Sequence, residues 1–441
     1  MEEKLSPSAD TQSTSPNDNS GSLISTNPSS LSKTNPDQPI SNASVYRRKT
    51  VLCAWEMGGN LGHLTNLKLF ADQALKRGHR VVLAVRELQH VHRVFAGEDV
   101  EIWQAPHLKI SSSTGEQPYV SYTDMVLRQG FGSEAQLKIL VRAWRQLYDV
   151  IKPDLVIYDH APSALIASAG ASWKKWVVGS GFLIPRTDVE FLGVFPDIRR
   201  SQDNSKRLQA CEERALSMIN SCLREQQCSV WKNLKSWFEQ CDHQLLTTWP
   251  QLDHYGERPQ GDYIGPLLSE GGIKPVWPIT NTADKEQPKV FVYVNEFVGL
   301  TALLDVLASR AKVLLYCKNL SDKIRRNFAQ QIEICDEPVD MVSLVKSGCY
   351  FVTNANHGTS AQALLTGMPQ LMIPLQREQY LLAVRIKRAK QGVLAFPDQP
   401  DFSSAVEELL QLKPFLSNRS VGVENSSTSE RITNYLIDSD F

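Results

Sequence analysis

Residues 51–85, VLCAWEMGGNLGHLTNLKLFADQALKRGHRVVLAV, constrain the fold more than any other stretch of the chain. An apolar run opens it, and Gly58, Gly59 and Gly62 crowd the turn that follows. Leu64, Leu67, Ala71, Ala74 and Leu75 then recur at three- and four-residue steps, the spacing of one helix face, before a second apolar run. Gly78 stands where a left-handed helix cap belongs. Strand, glycine turn, helix and strand in this order make a βαβ unit, whose strands are parallel and need helices on both faces.

The alternation continues. VEIWQA, PDLVIYD, KWVVGS, QLLTTWP and GDYIGPLL read as strands, with helical stretches at LKILVRAWRQLYDVI, APSALIASAG and within Arg199 to Gln240. A second series repeats the pattern through KVFVYVN, VGLTALLDVLASR, AKVLLYC, IRRNFAQQ, VDMVSLVKSG, CYFVTN, a short helix from Thr359, QLMIP and EQYLLAVRIKRAKQG. At 441 residues the chain suits two such domains. We expect a disordered tail over residues 1–45, rich in Ser, Thr, Asn and Pro, and a first Rossmann-like domain over 46–268. A Gly- and Pro-rich linker over 269–288, a second Rossmann-like domain over 289–414 and a polar tail over 415–441 follow, the tail carrying one short helix around Ser429 to Leu436. Two α/β halves joined in this way place a cleft between the carboxyl ends of their sheets.

Composition narrows the partners. A net charge of −1 and 42% apolar residues lack the basic excess that nucleic-acid binding needs. No apolar run reaches the roughly 18 residues of a membrane helix, and the N-terminus carries no apolar secretion core, so the expected address is the cytoplasm. Cys53, Cys211, Cys222, Cys228, Cys241, Cys317, Cys335 and Cys349 form no CxxC pair and read as reduced thiols, with no metal site.

Chemistry concentrates at two places. Gly58, Gly59 and Gly62 let backbone approach a ligand at a helix start, and His63 beside them has the pKa of a general base near neutrality. Asp159 ends the strand PDLVIYD, where its carboxylate can orient His63 or cap the helix that Pro162 begins. His90, His92, His107, His160, His243 and His254 are placed less pointedly and read as surface or structural residues. In the second half, TNANHGTSAQALLTGMPQLMIPLQREQ runs strand, turn and helix, with free N–H groups near Thr359 able to hold a diphosphate. Glu378 and Gln379 open the next helix at the same edge and can bond sugar hydroxyls.

Together, GGNLGHL, YDHAP, GDYIGPLL and HGTSAQALLTGMPQLMIPLQREQ resemble the bacterial UDP-glycosyltransferase superfamily, over roughly Val51 to Gly392 and in consistent order. The GGxxGH loop also resembles that of lipid-linked GlcNAc transferases of cell-wall synthesis. The resemblance implies the GT-B fold, inverting transfer of a hexose-type sugar from a nucleotide diphosphate donor (a UDP-sugar) to an acceptor hydroxyl, and no cofactor or bound metal. It implies His63 as base, Asp159 as its partner, Gly358 and Thr359 at the phosphates, and Glu378 with Gln379 at the sugar. Asn354 stands where the family has a donor-binding His, Ala355 and Asn356 where it has two glycines, and Gln362 where it has a ribose-binding Glu. His357 is the residue left to take the phosphate contact, and Asn295 and Glu296 replace a small turn after the second half's first strand. A nucleotide-sugar epimerase and an inactive nucleotide-sugar-binding protein are the competing classes. The acceptor is read as small or lipid-like, walled by Lys109 to Ser133 with Tyr119, Tyr122 and Phe131, and by Phe182 to Phe195; peripheral membrane contact stays open.

Overall fold

The computed structural model describes residues 47–59, 61–109, 117–268, 271–278, 287–414 and 421–438. The tail expected over 1–45 and parts of the linker expected over 269–288 lie outside the described residues. Arg48–Phe441 forms one compact unit.

That unit holds two parallel sheets. The first orders β3 (Val100–Gln104), β2 (Arg80–Val85), β1 (Thr50–Trp55), β4 (Leu155–Asp159), β5 (Lys174–Gly179), β6 (His243–Leu246) and β7 (Asp262–Tyr263). The second orders β10 (Glu333–Cys335), β9 (Lys312–Tyr316), β8 (Lys289–Tyr293), β11 (Tyr350–Thr353), β12 (Gln370–Met372) and β13 (Gly392–Leu394). Every pair is parallel, in register Val51 to Leu155 between β1 and β4 and Tyr350 to Val290 between β11 and β8. This is the α/β architecture of two Rossmann-like halves that the sequence predicts.

Why the central strands read as unbroken apolar runs is clear from their cover. Leu52, Ala54, Val82 and Val156 pack on one face, against helices that include Glu134–Ile151, while Val51, Cys53, Leu83 and Ile157 pack on the other, against Leu64, Leu67, Phe70 and Ala74 of the helix Leu61–Lys76. Each such buried side chain contributes about 1.5–3 kcal/mol relative to exposure. That helix ends as its sequence suggests, Gly78 taking a φ of 75° and donating its N–H to Leu75 O at 2.8 Å.

Two expectations change. The short helix predicted around Ser429 is 18 residues long, Val421–Asp438, and it folds back over the first sheet rather than forming a tail. Its Ile432 and Leu436 enter the core beside Leu67 and Phe70, Thr433 Oγ1 donates to Gln73 Oε1, and Asn425 Oδ1 accepts from Leu268 N. The described part of the linker is also not free chain: Ile273 pairs with Val339 beside the second sheet.

Candidate active site

In an open parallel sheet the loops that meet ligands lie at the carboxyl edge, where the chain order reverses. Here the reversals fall between β1 and β4 and between β8 and β11. His63 follows the first of these strands and Asp159 ends the second.

The two side chains meet. His63 Nδ1 lies 2.9 Å from Asp159 Oδ1, and Asn66, one turn further along the same helix face, donates from Nδ2 to Asp159 Oδ2 at 2.8 Å. Asp159 is 1% exposed, and its two oxygens are held by groups from a single helix. The His63 ring stacks on Trp55 at 5.0 Å, and the Trp55 indole is itself fixed by donating to Met57 O. With Nδ1 carrying the proton towards the carboxylate, Nε2 is left as an acceptor. Burial pulls the His63 pKa down, but the charge and hydrogen bond of Asp159, with help from Glu378 and Glu87, outweigh it and raise the imidazole above its usual 6.5.

The glycines around His63 are not equivalent. Gly58 takes a φ of 81°, and a Cβ there would stand 2.5 Å from His63 Nε2, so this position needs a bare backbone. Gly59 lies beside Glu87, while Gly62 is already helical and exposed, with open space where a Cβ would go. Only Gly58 of the three is demanded by local geometry.

The second half reaches this edge through the helices His357–Thr366 and Arg377–Arg388. Ser180, just past β5, donates to Glu378 Oε1 at 3.2 Å. Burial, more than anything else, pushes the Glu378 carboxyl up, against the pull of nearby His63. Arg377 pairs with Asp197, and Arg385 donates from Nε to Gln251 O at 3.0 Å, so the two carboxyl edges meet along a polar seam. His254 sits in that seam, its Nδ1 3.1 Å from Ser180 O and its Nε2 3.9 Å from Glu378 Oε1. Burial drives the His254 pKa well below its usual value, so this approach is not an ion pair.

On the donor side the structure redistributes the residues expected there. Asn354 is fully buried; its Oδ1 accepts from Asn295 N at 2.7 Å and its Nδ2 donates to Ile373 O at 2.8 Å, knitting the ends of β8, β11 and β12. Gln379 is likewise committed, its Oε1 accepting from Leu375 N and Gln376 N and its Nε2 donating to Asn356 Oδ1. His357 turns across the seam to Thr248 Oγ1 at 2.7 Å, and burial pushes its pKa down to about 4, so it is a neutral ring. Gln362 is buried within its helix. The three that remain placed for a ligand are Gly358, Thr359 and Glu378. Gly358 and Thr359 stand in the first turn of a ten-residue helix that has no acidic residue there and no side-chain cap, because Asn356 is drawn to Gln379 instead. Its leading N–H groups suit an anion.

The aromatic walls expected for an acceptor are core. Tyr122, Phe131, Phe182 and Phe195 are 5% exposed or less and pack with Trp237 and Phe238, whereas Tyr119 lies half-buried under the Arg128 guanidinium at 3.9 Å. Conversely, sequence reading passed over Asn66 and Ser180 and took His160 and His254 for surface or structural residues. For Asn66 a signal existed, its three-residue step from His63; for the others only the fold brings them to the edge.

No protein-family profile matches the chain. Two curated relatives, the PGL/p-HBAD biosynthesis rhamnosyltransferases of Mycobacterium bovis (strain BCG / Pasteur 1173P2) and Mycobacterium tuberculosis (strain ATCC 25177 / H37Ra), are each 25% identical over 283 residues. That match takes in 61% of this chain and spans 62% of the length of each relative. Among solved structures, the chain is similar to CalG4, the calicheamicin glycosyltransferase, with a TM-score of 0.59 and 17% identity, over 89% of this chain and 95% of that one. Spinosyn rhamnosyltransferase SpnG aligns with a TM-score of 0.50 and 14% identity over 88% and 96%. Glycosyltransferase VinC in complex with dTDP aligns with a TM-score of 0.50 and 15% identity over 87% and 94%. Among the described residues no helix is long and apolar enough to cross a membrane. Two parallel Rossmann-like sheets whose carboxyl edges meet at His63, Asp159 and Glu378, aligned over most of their length with these enzymes, give this chain the GT-B fold.

Proposed function

We propose that the chain is an inverting glycosyltransferase that moves a hexose-type sugar from a nucleotide diphosphate donor to an acceptor hydroxyl. The observation that carries this reading is the His63–Asp159 contact at the reversal point of the first sheet, across the seam from Glu378. His63 Nε2 accepts the proton of the acceptor hydroxyl as the oxygen attacks the anomeric carbon, and Asp159 stabilises the imidazolium that forms. The bond from that carbon to the diphosphate oxygen breaks on the opposite face. First-turn N–H groups at Gly358 and Thr359 receive the charge of the departing diphosphate, so no metal is assigned a role. Glu378 is the carboxylate placed for sugar hydroxyls, and the seam holds it beside the base. The site is read as lying in a cytoplasmic protein that takes a nucleotide sugar and a small or lipid-like acceptor.

The donor is tested rather than assumed. UDP-sugars come first from the family resemblance, and dTDP-sugars belong beside them because a similar structure holds dTDP and similar proteins are named rhamnosyltransferases. Purified protein is incubated with UDP-glucose, UDP-N-acetylglucosamine and dTDP-rhamnose, with and without a panel of phenols and glycosides, and products are followed by mass. Acceptor-dependent release of the nucleoside diphosphate supports transfer; an isomerised nucleotide sugar would overturn it in favour of epimerisation.

A further inference from the structure

Glu56, the residue after β1, is 2% exposed, and the reaction described above gives its carboxylate no part. Both of its oxygens accept from Ser163 N at 3.1 Å, and Oε2 also accepts from Ser163 Oγ at 2.8 Å and Ala164 N at 3.0 Å. Ser163 and Ala164 stand in the first turn of the helix Pro162–Ala167, whose N-cap residue, Ala161, makes no side-chain cap. A Ser or Asn at that position is the usual answer to open helix N–H groups. Here the acceptor is instead a carboxylate 107 residues earlier in the chain. Burial pushes that carboxyl up to about 7, against the pull of its bonds to Ser163 and Ala164, and among the described residues no cation pairs with it. A buried carboxylate without a counter-charge costs stability, and chains keep such groups where function needs them.

What Glu56 does that a local cap cannot is join two loops. Its own N–H and that of Met57 donate to His160 O at 3.4 and 3.0 Å, so residues 56–57 grip both ends of the segment 160–164. His160 turns there with a φ of 46°, a left-handed backbone that a non-glycine residue keeps only when its surroundings fix it. Its ring lies 6.0 Å from the ring of His63. Asp159 is the residue just before this turn, and His63 follows the loop that begins at Glu56. The two loops thus carry the two halves of the 2.9 Å contact, and the Glu56 side chain binds one loop to the other. We propose that Glu56 is a positioning residue for the base: by holding the start of the Pro162–Ala167 helix against the end of β1, it sets where the Asp159 carboxylate meets His63 Nδ1. Its part in turnover rests on the transferase reading above; its part in the contact does not.

The test reads the His63 Nδ1–H signal by NMR in histidine-labelled full-length protein, alongside kcat and donor KM with UDP-glucose or dTDP-rhamnose and a phenol acceptor. Glu56→Gln keeps the shape of the side chain but offers one acceptor oxygen where two are used. Its His63 signal should move towards that of Asp159→Asn, and its kcat should fall at least about tenfold with the donor KM little changed. Ser163→Ala keeps the carboxylate and loses only the hydroxyl bond, so the signal should move the same way by less. Adding Ala161→Ser to Glu56→Gln gives the helix a local cap and should restore neither the signal nor kcat. A wild-type His63 signal in either Glu56→Gln or Ser163→Ala, folded by circular dichroism, would overturn the proposal. Recovery of signal and kcat with Ala161→Ser would overturn it too, since Glu56 would then only cap a helix. A moved signal in proteins that, wild type included, transfer no sugar would instead sink the transferase reading and leave the positioning role standing.

Discussion

His63 and Asn66, one helical turn apart, hold the two oxygens of Asp159 at 2.9 and 2.8 Å. The carboxylate is thus aimed by the same helix that carries the imidazole it supports, and the pair moves as one piece.

From this follows the pH behaviour. Asp159 raises the His63 pKa against the downward pull of burial, and the base works only when neutral, so activity should climb as pH rises through a value above 6.5. Asp159→Asn removes the charge that raises it. The acid limb of the kcat/KM profile should then move to lower pH, while the plateau falls by roughly 10²-fold or more. An acid limb that stays in place would show that Asp159 does not govern the base.

Glu56, buried directly after β1, accepts from Ser163 N, Ala164 N and Ser163 Oγ. Burial dominates and raises its pKa from 4.5 to about 7. A raised folded-state value means the contribution to stability is fully present below about pH 4.5 and is lost as pH rises through 7. Urea unfolding of Glu56→Gln should therefore gain on wild type across that window, by up to about 3 kcal/mol. A difference that is flat with pH would contradict the assignment.

Asn354 is read as a structural tie, not a donor ligand, because both ends of its amide are spent on Asn295 N and Ile373 O. Asn354→Ala should lose about 1–3 kcal/mol of stability to urea, since two buried backbone groups lose their partners, with the donor KM of the folded fraction little changed. A variant of full stability whose donor KM rises strongly would return the residue to the donor site.

These residues also show what a sequence can and cannot disclose. His63 and Asp159 were legible because one opens the helix that follows β1 and the other ends β4, and parallel neighbouring strands put both at one edge. The direction of an amide is not legible: Asn354 and Gln379 stand at donor-site positions, yet Asn295 N and Ile373 O claim the polar atoms of the first, and Leu375 N, Gln376 N and Asn356 Oδ1 those of the second. Tyr122 and Phe195 looked like pocket walls because core and pocket draw on the same residue types. His160 needed the most information, since its left-handed backbone and its place beside the His63 ring exist only once β1 and β4 lie side by side. The helix Val421–Asp438 was underestimated for a related reason, its apolar face being matched to a helix more than 300 residues earlier in the chain.

Charge on the leaving diphosphate is assigned to helix N–H groups. Turnover should therefore be unaffected by EDTA and by added Mg²⁺, measured as release of nucleoside diphosphate. Loss of activity with EDTA, restored by Mg²⁺, would mean that a metal carries the charge instead.

The most direct test of the whole account is acceptor-dependent turnover by wild type and His63→Ala, with donor binding measured alongside by thermal shift. The account predicts that wild type releases nucleoside diphosphate and glycosylates the acceptor, and that His63→Ala turns over at least about 10²-fold more slowly while donor still raises its melting temperature as in wild type. Equal turnover in the two proteins would contradict it.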